Sequence, residues 1–185
     1  TIFSFGDQLF MQKDGVAMGS PLGPILANIY MSFLESKLQQ SPIPILYWKR
    51  YVDDTLVGVS CLDHSIKLLE FLNSLCNNIK FTIEHMSNNS LPFLDLNIFK
   101  SNNSNKYLTK VFTKSTNTEL ICNYNCTMPK KYKISILNSL LNRAYSHSST
   151  WELFTTEIAR LRTLFAKNAF PNILIDSVIA RFVDQ

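Results

Sequence analysis

Two adjacent aspartates, Asp53 and Asp54, stand between two β-rich runs, residues 45–52 and 55–59. The pattern predicts a strand, tight turn and strand, with both carboxylates at the hairpin tip. Like charges at this spacing repel, and a divalent cation relieves the repulsion. Mg2+ takes oxygen ligands and keeps room for water and substrate phosphates. Two such ions about 4 Å apart bind the attacking and leaving oxygens of an in-line phosphoryl displacement. A bare Asp-Asp pair also occurs in ordinary turns, so its meaning depends on its surroundings.

Upstream lies Gly15-Val16-Ala17-Met18-Gly19-Ser20-Pro21-Leu22-Gly23-Pro24. A glycine-rich loop entering a helix lets backbone approach a ligand closely, and a helix start favours anionic groups. The same features also describe a flexible loop before a well-capped helix.

These residues need elements to position them. Ser20 suits the cap and Pro21 the first position of a helix carrying Leu22, Ile25, Leu26, Ile29 and Phe33 on one stripe. Pro42 and Pro44 end that region. Asp63 can cap a second helix, with Ile66, Leu69, Leu72 and Cys76 on one face. Residues 80–85 alternate like a strand; Leu94, Leu96 and Ile98 mark another, and residues 108–114 a further one. Ser87 to Ser90 and residues 101–105 are polar, turn-like punctuation. The pattern then becomes helical: Ile134, Leu137, Leu141 and Ala144, then Phe154, Ile158, Leu161 and Phe165 after a Ser149–Glu152 capping-box spacing. Asn168 can end that helix and Pro171 start the last. Strands followed by helices predict an α+β fold.

Charge divides the chain. Residues 1–99 carry 6 Lys+Arg and 9 Asp+Glu; residues 100–185 carry 12 and 5. An acidic half beside a basic half fits a metal-bearing site next to a polyanion-binding surface, and equally a solvated basic face. The boundary is placed near residue 100. An apolar content of 46% is that of a globular core, and no stretch is long and apolar enough to cross a membrane. The first residues lack the basic start and cleavage site of a signal peptide, and there is no starting Met, which predicts a fragment. Cys122-x3-Cys126 has no second ligand pair for zinc; reduced thiols in an intracellular protein are the simpler reading.

Taken together, the motifs resemble those of reverse transcriptases. Tyr51-Val52-Asp53-Asp54 is similar to that family's four-residue box. The segment from Gly15 to Asn28 is similar to its motif around template and incoming nucleotide, departing at Ala17, Met18 and Gly23. "GVAMGSPLGP" followed by "WKRYVDD" resembles the Penelope-like group, relatives of telomerase reverse transcriptase, in which the Ala-Met pair is usual. "FTIEHMSNNSLPFLDLNI" resembles that group's next motif and residues 110–144 its post-palm segment, with Lys114-Ser115-Thr116 lacking the usual Pro. "LFAKNAFP" resembles an Asn-Gly-Tyr-Pro ending, with Ala169 for Gly.

The resemblance implies a partial palm over residues 1–99 and a basic, thumb-like, helix-turn-helix-like region over residues 100–185. It implies RNA-directed DNA synthesis from an RNA template, a DNA primer and deoxynucleoside triphosphates, in the nucleus, with Mg2+ in a two-metal site. Asp53 would be the main metal ligand and Asp54 its weaker partner. Gly19 and Ser20 would line the nucleotide and template pocket, Gln12 touch template or base, and Lys80 protonate pyrophosphate. Lys110, Lys114, Lys130, Lys131, Lys133 and Arg143 would contact the nucleic-acid backbone, interleaved with Tyr107, Phe112, Tyr124 and Tyr132. The family's other metal-binding aspartate belongs to an earlier motif; Asp7 and Asp14 do not fit it, so these residues alone are expected not to polymerise. Two other readings stand beside this one: a non-catalytic nucleic-acid-binding module that kept the fold, and a metal nuclease using Glu84 or Asp95 as a further ligand.

Overall fold

Residues 2–17, 19–101 and 106–184 are described by the computed structural model. Met18 of the glycine-rich segment and Asn102 to Asn105 of the second polar stretch lie outside the described residues. The chain forms two compact units, Thr1–Glu84 and His85–Gln185. Its arrangement is α+β: antiparallel sheets followed by a C-terminal helical bundle.

The first unit opens with an antiparallel hairpin, β1 (Ile2–Phe5) and β2 (Gln8–Met11). Helix α1 (Gly23–Ser36) follows the glycine-rich loop. It starts two residues later than Ser20-Pro21 predicts, because Ser20 and Gly23 donate backbone bonds to the Ala17 and Ser20 carbonyls in successive turns. Pro24, in the first turn, is the proline that fits the helix start. The apolar stripe Leu22, Ile25, Leu26, Ile29 and Phe33 is exposed, and Leu34 is the buried residue of α1. A 3-10 turn, Lys37–Gln40, leads to the hairpin β3 (Tyr47–Tyr51) and β4 (Asp54–Gly58). Tyr47 faces Gly58 across the pair, and its ring occupies the space a Gly58 side chain would need.

Helix α2 (Leu62–Leu75) buries Leu68 and Leu72, whereas Ile66 of the predicted face is exposed. Cys61 holds the cap position, and Asp63 instead pairs with Lys67 one turn on, at 2.7 Å. Residues 80–85 form no strand. The Asn73 side chain accepts from the Phe81 N–H at 2.7 Å and donates to its carbonyl at 3.2 Å, taking the place of a neighbouring strand.

The second unit has a three-stranded antiparallel sheet in sequence order, β5 (Ser90–Phe93), β6 (Leu96–Lys100) and β7 (Tyr107–Val111). Asn88 and Asn89 turn the chain before β5 with positive φ, and Leu94 (φ 53) turns it between β5 and β6, so Leu94 lies outside the strand predicted for it. Helices α3 (Lys130–His147), α4 (Trp151–Lys167) and α5 (Asn172–Val183) follow. Thr150, not Ser149, caps α4, accepting from the Leu153 N–H at 3.3 Å. The Ser149 hydroxyl is engaged with the backbone N–H and carbonyl of Thr109, pinning the interhelix turn to β7.

The two units bury very different cores. Leu137, Leu141, Ala144, Phe154, Leu161, Phe165 and Ile175 are at most 2% exposed, within a larger cluster that spans α3, α4 and α5. In the first unit the buried apolar side chains among the described residues are Leu34, Ile43, Leu68 and Leu72. Each fully buried Leu or Phe contributes about 1.5–3 kcal/mol, so the second unit has much the larger hydrophobic stabilisation. Limited proteolysis followed by mass spectrometry should therefore cleave first within residues 1–84 and leave residues 85–185 as the persistent product. Persistence of the first unit would contradict this ordering.

Candidate active site

The β3–β4 hairpin is closed by a two-residue loop, Val52-Asp53, with Tyr51 facing Asp54 across it. Both aspartates are exposed. Val52 sits at φ 55. The first loop position of this kind of hairpin normally belongs to glycine, and a β-branched residue there stores about 1–3 kcal/mol of strain.

A charged cluster holds that turn. Arg50 Nε donates to Glu35 Oε1 at 2.7 Å, and Trp48 Nε1 donates to the same oxygen at 3.0 Å. Arg50 Nη1 donates to Asn28 Oδ1 and to the Val52 carbonyl, each at 3.0 Å. One guanidinium thus joins two residues of α1 to the backbone of the aspartate turn. Its side chain is 11% exposed and that of Glu35 24%. Burial pushes the Glu35 carboxyl up, but the hydrogen bonds from Arg50 and Trp48, with the Arg50 charge, outweigh it and leave the group below its ordinary value.

The glycine-rich loop approaches α1 from the other end. Gly15 and Gly19 adopt φ 76 and 87, and a side chain added at Gly19 would meet no atom within 4 Å. Glycine is needed there for conformation, with open space left over its backbone. Ser20 Oγ accepts only a 3.4 Å bond from the Leu22 N–H. Gln12 Nε2 is engaged with the Asp14 carbonyl at 2.9 Å. Lys80 is exposed in the irregular segment pinned by Asn73. A shallow cavity of about 600 Å3 opens between Leu38, Ile43, Pro44 and Trp48, and contains neither aspartate.

Asp53 and Asp54 are adjacent, exposed carboxylates on one hairpin, the oxygen-ligand type that hard cations take. They fall short of a two-metal centre: among the described residues no three His, Cys, Asp or Glu side chains converge. Glu84, in the same unit as the aspartates, therefore supplies no third ligand to a nuclease centre among the described residues.

In the second unit, Lys110, Lys114, Lys130 and Lys131 are exposed. Lys133 is not: its ammonium is buried, donating to the Tyr124 and Cys126 carbonyls at 2.6 and 2.8 Å. Arg143 pairs with Asp95 at 3.0 Å and donates to the Phe112 carbonyl at 3.1 Å, fastening α3 to the sheet. Both side chains are thus committed to protein groups.

Sequence reasoning singled out the aspartates and glycines but not Arg50, Glu35 or Trp48. A signal existed. Asn28 and Glu35 lie seven residues apart, on one helical face, and Trp48 and Arg50 share one face of a strand.

A model of the reverse transcriptase (RNA-dependent DNA polymerase) family matches residues 2–86. A model of the animal helix-turn-helix domain matches residues 120–180. No curated protein and no solved structure matches the chain. The first match ends within two residues of the first compact unit; the second lies inside the second unit.

Replacing Arg50 by Ala removes the charged partner of the half-buried Glu35 carboxylate, leaving it the Trp48 N–H, and should lower stability by about 1–3 kcal/mol in urea unfolding. The sign with pH is fixed. Because folding lowers the Glu35 pKa, its stabilisation is present above the ordinary value of 4.5 and is lost as pH falls through the lower folded value. The wild-type chain should lose that part of its stability in acid, and the Arg50→Ala variant should not.

Proposed function

We propose that this chain, which carries a partial reverse-transcriptase-like domain and a separate animal helix-turn-helix domain, derives from the RNA-directed DNA polymerase of a Penelope-like retroelement and is catalytically incomplete in these 185 residues. The single observation that carries the reading is the Arg50 link. It ties the turn of Asp53 to Asn28, the last residue of the glycine-proline motif. Two motifs that the family would need side by side are thereby held on one rigid support.

In this reading residues 1–99 belong to the palm and residues 100–185 to a thumb-like region. Mg2+, when bound, would supply charge neutralisation at the transferred phosphate. Asp53 would be its principal protein ligand and Asp54 the second. The open backbone at Gly19, with Ser20, would face nucleotide and template, and Gln12 and Lys80 are candidates for base and pyrophosphate contact. The short donor set supports inactivity: two carboxylates on one hairpin do not hold two ions at a fixed spacing.

A second reading, a nucleic-acid-binding module without catalysis, is favoured by the contrast between the units. The helical core is complete while the reverse-transcriptase-like unit is thinly packed. Exposed Lys130 and Lys131 occupy the first turn of α3, where the helix dipole disfavours cations, and a phosphate there would offset both. Lys110 and Lys114 extend this candidate backbone-binding set.

Purified chain given Mg2+, template–primer and deoxynucleoside triphosphates should give no primer extension. Extension that is lost in Asp53→Ala would overturn the incompleteness. Binding to the same duplex should weaken with salt, and the Lys130→Ala/Lys131→Ala variant should flatten the log–log slope by roughly 2. An affinity indifferent to ionic strength would remove nucleic-acid backbone contact from both readings.

A further inference from the structure

The loop between β7 and α3 carries two thiols that neither the sheet nor the helical core uses. Cys122 Sγ and Cys126 Sγ lie 3.2 Å apart. The Cys126 N–H donates to the Asn123 carbonyl at 3.1 Å and the Asn125 N–H to Asn123 Oδ1 at 2.8 Å, forming a turn that brings the two side chains together. The turn is fastened from two sides. The Tyr124 N–H donates to the Asn168 carbonyl at 3.0 Å, and the buried Lys133 ammonium holds the Tyr124 and Cys126 carbonyls. The thiols are therefore kept adjacent by fixed groups, and the Lys133 charge favours the thiolate form of either.

We propose that Cys122 and Cys126 form a reversible dithiol–disulfide site that reacts with low-molecular-weight disulfides such as oxidised glutathione. Forming the bond requires the sulfurs to close by about 1 Å, to the disulfide length of about 2.05 Å. Zinc is disfavoured because two sulfurs make half of a four-ligand set, and no third His, Cys, Asp or Glu side chain joins them among the described residues.

The two thiols are not equivalent. Cys126 is exposed; the hydrogen bond from Cys122 and a backbone N–H of Met128 lower its pKa. Cys122 is half-buried and raised by its hydrogen bond to Cys126 and by burial. Cys126 thiolate attacks one glutathione sulfur, the reagent's S–S bond breaks, and one glutathione leaves as thiolate. Cys122 thiolate then attacks the Cys126 sulfur and expels the second glutathione. The two protein thiols are oxidised, the reagent is reduced to two thiols, and the two protons released end on glutathione.

Trypsin cleavage after Lys114 and Lys130 leaves both cysteines on one peptide, residues 115–130, so the test is direct. The full chain is equilibrated in buffers of rising oxidised-to-reduced glutathione ratio, quenched by alkylation, digested and weighed. The expected result is a peptide that loses two hydrogens and resists alkylation at ratios where Cys61 is still alkylated, with full reversal by dithiothreitol. In Cys122→Ser, Cys126 should instead retain one glutathione. The proposal is overturned if the wild-type peptide accumulates two glutathiones, or if it oxidises no earlier than Cys61.

Discussion

The contact between Arg50 and Glu35 is the polar tie that holds helix α1 to the aspartate hairpin of the first unit. Hydrogen bonds and an ion pair of this kind are individually modest, but here one guanidinium has four acceptor atoms on three residues, Glu35, Asn28 and Val52. Its planar fork fixes directions as well as distances. These bonds join residues on two turns of helix α1 to the β3–β4 hairpin and so constrain its register against the helix. The strained Val52 conformation fits this account: an unfavourable backbone persists where its surroundings over-determine it.

The second unit is organised by different physics. Its helices are held by an interdigitated apolar cluster in which Phe165 packs against Phe170 at 5.0 Å. Polar groups act at the seams. Asn168 ends α4 and also accepts from the Ile121 N–H while donating to the Glu119 carbonyl. That single amide fastens the long loop before α3 to the turn between α4 and α5. The ion pairs of Glu119 with Arg160 and Lys167 lie on the same seam.

What the sequence disclosed follows the range of the interactions. The aspartate hairpin was legible because β-rich arms flank a two-residue acidic break, though the loop falls one residue earlier, at Val52-Asp53, and Asp54 begins β4. Helices α3 and α4 were legible because apolar residues recur at helical spacing over several turns, and α5 from Pro171 at its start. The end of α4 at Asn168 was legible from local capping chemistry. Long-range choices were not. Lys133 reads as a surface cation beside Lys130 and Lys131, yet carbonyls presented by residues 124 and 126 draw it inside. Residues 80–85 alternate like a strand, but the Asn73 amide satisfies the backbone that a strand partner would have used. The α1 stripe from Leu22 to Phe33 has the periodicity of a core face, and periodicity alone does not say whether anything covers it.

The β1–β2 hairpin carries a further consequence. It is a two-stranded sheet among the described residues, so there each strand keeps one unpaired edge, and Ile2, Phe5, Leu9 and Met11 are exposed along it. Proteins usually blunt such edges with lysine, proline or a bulge, and none of these occurs within either strand. Backbone groups and apolar side chains are thus offered together to any extended chain nearby, including another molecule of the same kind. Solubility in this region is then a question of concentration, with edge-to-edge pairing as the competing state.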